Sequence, residues 1–145
     1  SEKSNVCGKW TMNTEELDAV HFYGRHNMER QMERTHLGHG NWSVGSIRGT
    51  SSHHHNPFVI LCDRNTEETY GNCYGYALAY SGNFLFETEV DQVGHTRVAM
   101  GIHPYHFSWT LEQGESFETP EVIMHTQQKA SENFPESIMM HTEAI

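Results

Sequence analysis

Cys73-Tyr74-Gly75-Tyr76-Ala77-Leu78-Ala79-Tyr80-Ser81-Gly82-Asn83-Phe84-Leu85-Phe86-Glu87-Thr88-Glu89-Val90-Asp91 is the stretch that decides the fold class. Successive side chains of an extended chain point to opposite faces. Tyr74, Tyr76, Leu78 and Tyr80 therefore share one face, and the small Cys73, Gly75, Ala77 and Ala79 share the other. A face of small residues invites close approach of another layer. Ser81-Gly82-Asn83 reads as a tight turn of the hairpin kind, because Gly and Asn accept the positive φ such turns demand. Beyond it Phe84, Phe86, Thr88 and Val90 alternate with Leu85, Glu87, Glu89 and Asp91.

The same period of two, punctuated by glycine, runs outward in both directions from residue 41 onward. Trp42, Val44 and Ser46 alternate with Ser43, Gly45 and Ile47, and Phe58–Cys62 is a continuous apolar run, as expected of a strand covered on both faces. Residues 63–72 are charged and turn-rich, which marks a surface connection. Strands are expected again at Thr96–Met100, Phe107–Leu111 and Thr119–Met124. Regular short strands of this kind pack as two antiparallel sheets. The expected fold is an all-β antiparallel sandwich over residues 14–125, preceded by an arm at 1–13 with Trp10 as an anchor. It is followed by a tail at 126–145, whose stretch Ser131–Met140 reads as a weak helix.

Earlier in the chain the residues leave alternatives open. Glu16–Phe22 scores as helix or strand. Asn27 can cap a helix, and Met28, Met32 and Thr35 line one helical face, so propensity alone predicts a helix over 28–36.

Composition excludes several function classes. Only 36% of the 145 residues are hydrophobic and mean hydropathy is −0.67, so the core is thin and layered. Nine Lys and Arg stand against 19 Asp and Glu, a net charge of −10 that repels phosphate backbones and anionic lipid surfaces. Nucleic acid and membrane are not expected partners, since no run is apolar for the ~20 residues a membrane helix needs. A soluble chain in the cytoplasm is expected. Neither a Gly-x-Ser-x-Gly nor a phosphate-cradling glycine loop occurs, and no cofactor is expected.

Cys7, Cys62 and Cys73 form an odd set without Cys-x-x-Cys spacing, which suits buried reduced thiols. Cys62 and Cys73 flank one candidate turn and can face each other across a hairpin. The loop Arg48-Gly49-Thr50-Ser51-Ser52-His53-His54-His55-Asn56-Pro57 carries three histidines. His53-x-His55 matches the start of a cupin metal motif, but Val59 and Ile60 stand where that motif needs glutamate. No metal is expected. Tyr74, Tyr76, Tyr80, Phe84 and Phe86 suit sheet packing better than a sugar platform, and Arg97 with Asp91 and Glu89 suits a solvated face.

The histidine loop, Tyr80-Ser81-Gly82-Asn83-Phe84, Glu89-Val90-Asp91-Gln92, Thr96-Arg97-Val98, Met100-Gly101-Ile102, Phe107-Ser108-Trp109 and Gly114–Val122 resemble, in order, the amino-terminal domain of the α-galactosidases of glycoside hydrolase family 36. The likeness covers roughly residues 20–124. It implies a partial β-supersandwich of the galactose-mutarotase-like kind, and a strand and loop, not a helix, around Tyr23–Arg34. It also implies that both catalytic aspartates belong to a (β/α)-barrel outside this chain, so no catalytic residue is expected among Asp18, Asp63 and Asp91. Family partners would be α-galactoside sugars reached through the parent enzyme, the barrel domain, and further copies in a homo-oligomer.

Glu29 and Arg30 match the family's Glu-Arg pair, and Arg48 opens the histidine loop, which makes these three the candidate substrate-binding residues. Met28 and His26 depart from the arginine and tryptophan that many relatives carry beside that pair. Two other readings are a stand-alone carbohydrate-binding β-sandwich and a cupin-like metal protein.

Overall fold

The computed structural model describes residues 6–14, 16–25, 27–49, 55–67, 70–105, 107–129 and 137–141. Their regular structure is entirely strand: β1 (Val6–Met12), β2 (Leu17–Arg25), β3 (Met28–His36), β4 (Gly40–Gly45), β5 (His55–Asp63), β6 (Gly71–Leu78), β7 (Phe84–Val90), β8 (Thr96–Ile102), β9 (Val122–Lys129) and β10 (Ser137–His141). They form a four-stranded sheet, β1-β8-β7-β4, and a six-stranded sheet, β10-β9-β6-β5-β2-β3. The pairings within each sheet are antiparallel. The all-β sandwich expected from the period-two pattern is the observed fold.

Burial follows the alternation. Leu17 and Ala19 of β2, Val59 and Leu61 of β5, and Tyr76 and Leu78 of β6 meet Phe84, Phe86, Val98 and Met100 of the smaller sheet in one core. Aromatic rings join the layers: Tyr76 lies 5.6 Å from Phe86, and Trp10 meets Tyr76 edge-on at 5.0 Å. Removing such surfaces from water is the main drive to stack the sheets. Tyr74, Tyr76, Phe84 and Phe86 are thus core packing, the last three fully buried, whereas Tyr80 of the same series is exposed. The small face of β6 is the side of the larger sheet turned away from its partner.

β3 shows tertiary pairing overriding propensity. Its Met-Glu-Arg-Gln-Met-Glu-Arg series is made of helix formers. Instead it pairs along β2 from Asp18↔His36 to Tyr23↔Gln31. Asn27 is not a helix cap: at φ 67° it takes the left-handed position in the β2–β3 turn. As an edge strand rich in charge, β3 also discourages pairing with foreign chains.

The remaining differences lie at the ends and turns. Residues 6–12 are not an arm, because β1 pairs with β8 from Val6↔Gly101 to Met12↔Thr96, which places Trp10 against the core. The sandwich does not stop at 125, since β9 continues to Lys129 along β6. The weak helix at 131–140 is replaced over 137–141 by β10, paired with β9; residues 130–136 lie outside the described set. Ser81-Gly82-Asn83 does not close a hairpin, because β6 and β7 belong to different sheets and neither Gly82 nor Asn83 has positive φ. Residues 107–111 form no strand, though Phe107 and Phe117 still pack against the core. Among the described residues no helix is long and apolar enough to cross a membrane.

Candidate functional site

Register places the connections at two opposite ends of the sandwich. Phe58 pairs with Ala77 and Arg25 with Met28, so the start of β5, the end of β6 and the β2–β3 turn share one end. β4 finishes there as well, where Gly45 pairs with Leu85 and the Ser46 N–H donates to the Phe84 carbonyl at 3.0 Å. This end gathers the candidate residues. Glu29 and Arg30 lie in the backbone of β3 just past the turn, and their side chains lie outside the described set. Arg48 is exposed on the β4–β5 connection, and beside it the Gly49 N–H donates to Asn83 Oδ1 at 2.6 Å. The topology thus brings the two candidate segments to one end.

Next to them sits a group that the period-two reading passed over. His21 lies on the inner side of β2, and its ring centroid is 5.6 Å from Trp42, 6.1 Å from Tyr23 and 6.2 Å from His55. Its Nε2 is 3.6 Å from the Glu33 carboxylate of the neighbouring strand. Burial pushes the His21 pKa down, while Glu33 pulls the other way. An imidazole in that balance is neutral at neutral pH and offers one donor and one acceptor. The signal was present in the sequence as a histidine following Leu17 and Ala19 at period two, where the face calls for an apolar residue. This seam brings together an indole, a carboxylate and an imidazole from three strands of the two sheets.

Metal binding finds no arrangement among the described residues, where no group of three or more His, Cys, Asp or Glu is placed to hold an ion. His53 and His54 lie outside the described set.

The three aspartates are all committed to local structure. Asp18, with no exposed surface, accepts from Arg34 Nε at 2.6 Å and from His36 Nδ1. Arg34 then spreads its other donors over the carbonyls of Thr66, Arg64 and Asp63, at 2.9, 2.9 and 3.2 Å. Asp63 accepts from Asn72 Nδ2 at 2.7 Å. Asp91 accepts the His95 and Val93 N–H groups at 2.9 and 3.0 Å, which hold its carboxyl below the usual range, and lies 3.7 Å from Arg97.

Comparison with known proteins agrees with this architecture. The family described as the glycosyl hydrolase family 36 N-terminal domain matches residues 5–112. The chain is 53% identical over 109 residues to the bifunctional alpha-galactosidase/sucrose kinase AgaSK of Mediterraneibacter gnavus, covering 75% of this chain and 12% of that protein. It is 49% identical over 111 residues to alpha-galactosidase AgaA of Geobacillus stearothermophilus, covering 77% of this chain and 15% of that one. A crystal structure of a variant of that AgaA in complex with raffinose superposes with a TM-score of 0.80 at 45% identity, over 83% of this chain and 17% of that chain. The galactosidase domain of AgaSK superposes at 0.78 and 49%, over 82% and 17%. The chain therefore spans 12 to 15% of the length of these two curated relatives. With two antiparallel sheets that superpose on those of the relatives and a family match over residues 5–112, this chain belongs to glycosyl hydrolase family 36, in the part described as its N-terminal domain.

Proposed function

We propose that this chain is the non-catalytic sandwich segment of a retaining α-galactosidase that hydrolyses terminal α-galactosides of the raffinose and melibiose type. It shapes the substrate cleft and an oligomer interface of a cytoplasmic enzyme. The observation that carries this reading is the outer side of the six-stranded sheet. Val20, Phe22, Phe58, Ile60 and Ala77 lie there, away from the core, and the Phe22 and Phe58 rings stack at 6.1 Å. A sheet apolar on both sides belongs in the middle of a protein. Its second cover is the remaining polypeptide of the enzyme, since the relatives are several times longer than this chain.

Retaining glycosidases hold a nucleophile and an acid/base carboxylate about 5 Å apart. Asp18 and Asp63 face local donors instead, and Asp91 caps its own turn, so these groups serve the fold. Glu29, Arg30 and Arg48 contribute to sugar recognition at the loop end. A guanidinium suits that task because its planar fork presents several donors to adjacent hydroxyls.

Activity and recognition are tested separately. The pure 145-residue chain should not hydrolyse p-nitrophenyl-α-galactoside; turnover abolished by Asp63→Asn would overturn the non-catalytic reading. In the full-length enzyme Arg30→Ala should lower kcat/KM by the equivalent of ~1–3 kcal/mol without loss of assembly. Unchanged kinetics in a correctly assembled oligomer would make Arg30 a structural residue.

A further inference from the structure

Cys62 and Cys73 stand opposite each other on β5 and β6, at the end of the ladder that precedes the connection between these strands. Directly opposed residues of an antiparallel pair point to the same side, with Cα atoms about 4.5 or 5.5 Å apart. Either spacing falls within the roughly 4.4–6.8 Å that a disulfide spans. Both cysteines are thiols in this structure. Cys7, the third cysteine, is fully buried in β1 of the other sheet.

We infer that Cys62 and Cys73 form a redox-modifiable dithiol that reacts with small disulfides of the glutathione type and closes into a cross-strand disulfide. The two thiols differ in access. Cys62 is 3% exposed, while Cys73 is half-buried, so Cys73 meets the reagent first. Burial also pushes the Cys62 thiol up to about 11, with the Arg34 guanidinium opposing, and this keeps Cys62 protonated while the reagent approaches.

In the first step the Cys73 thiolate attacks one sulfur of the reagent, breaks its S–S bond and expels one thiolate. That thiolate takes the Cys62 proton. Cys62 then attacks Cys73 Sγ, breaks the mixed disulfide and expels the second half of the reagent as a thiolate, which takes up from solvent the proton that Cys73 had released to it. The two cysteines together lose two electrons, and the reagent gains them as two thiols.

The product would staple the β5–β6 connection that Arg34 already grips through the carbonyls of Asp63, Arg64 and Thr66. The backbone there is tightly built, because Gly71 sits at φ 113° and a Cβ on it would lie 2.8 Å from Thr66 Cα. Closing the short loop between the two cysteines removes freedom mainly from the unfolded chain.

The test treats the folded 145-residue chain with oxidised glutathione, then alkylates it under denaturing conditions and maps the peptides without reduction. The expected product is an intrachain Cys62–Cys73 link, reversible by dithiothreitol, with a melting temperature higher by roughly 5 °C. Cys62→Ser should trap glutathione on Cys73, and Cys73→Ser should leave Cys62 unmodified in the folded chain. Recovery of both cysteines unlinked, whether glutathionylated or untouched, would overturn the assignment, and so would a link to Cys7 or between chains. The wild-type map decides alone if either variant fails to fold.

Discussion

The two sheets differ most on the sides they turn away from each other. The outer side of the four-stranded sheet carries Lys9 and Thr11 of β1, Ser43 of β4, Glu87 and Glu89 of β7 and Arg97 of β8, in register across the strands. Opposite charges neighbour there, as where Glu89 pairs with Arg97. The outer side of the six-stranded sheet carries an apolar centre of Val20, Phe22, Phe58 and Ile60. At one end of it the buried carboxylate of Asp18 is bonded by Arg34 and His36, whose side chains reach the surface. One side is built for water, where each charge costs little and contributes little. The other is built for a second layer, where a charge persists only if it is fully bonded.

The sharpest way to break this contrast is to remove a carboxylate from each side. Asp18→Ala should cost about 3 kcal/mol in urea unfolding, because Arg34 loses its charged acceptor inside the sheet. Glu87→Ala should stay within about 0.5 kcal/mol, as surface substitutions do. Equal losses would show that the two sides are energetically alike.

A smaller effect is expected from adding charge. Ile60→Asp should lower stability by about 2 kcal/mol, because the carboxylate must be desolvated among apolar neighbours without a donor. It should also reduce the yield of assembled full-length enzyme. Ser43→Asp on the opposite side should leave both unchanged within about 0.5 kcal/mol. Assembly that tolerates Ile60→Asp would remove the apolar side as an internal interface.

Acid sensitivity separates the sheets next. His21, on the inner side of the larger sheet, has its pKa lowered by burial. The unfolded chain therefore binds the proton more readily, so stability is full above the unfolded value of about 6.5 and falls as pH drops below it toward the folded value. His21→Gln should flatten the dependence of the urea midpoint on pH between neutrality and roughly pH 5. An unchanged slope would place the acid sensitivity elsewhere.

The smallest effect belongs to Asp91 beside the four-stranded sheet. Its carboxyl is held low chiefly by the His95 N–H, with help from Val93, and its side chain is partly exposed. Its contribution is present above the unfolded value of about 3.9 and is lost as pH falls through the lower folded value. Asp91→Asn should soften only that last part of the acid limb, visible as a slight shift of the unfolding midpoint below about pH 4.

Much of the candidate site was legible in the chain only through resemblance. Glu29, Arg30 and Arg48 carry no signal of their own in composition or period, and it is the β2–β3 turn and the β4–β5 connection that bring them to one end. His21 was legible as a polar residue at an apolar position, but its neighbours Trp42 and His55 come from strands far along the chain. Cys62 and Cys73 could be read as hairpin partners because they flank a single charged connection, and the register bears that out.

By itself the sequence determined that the chain is all-β, because period-two alternation with glycine punctuation is a local property of 41–91. It also determined which side of β6 is small. Pairing between distant segments decided the rest. Whether Phe84 returns beside Tyr80 or crosses to a second sheet depends on which strands compete for β7, and β8 and β4 hold it. Whether Met28–His36 coils or extends depends on the open edge of β2 and on Asp18, sixteen residues before the Arg34 it binds. Residues 6–12 become a strand only because β8, far down the chain, offers them an edge. Backbone hydrogen-bonding groups must be paired once buried, and in a sheet the partner that pairs them is never in the segment itself.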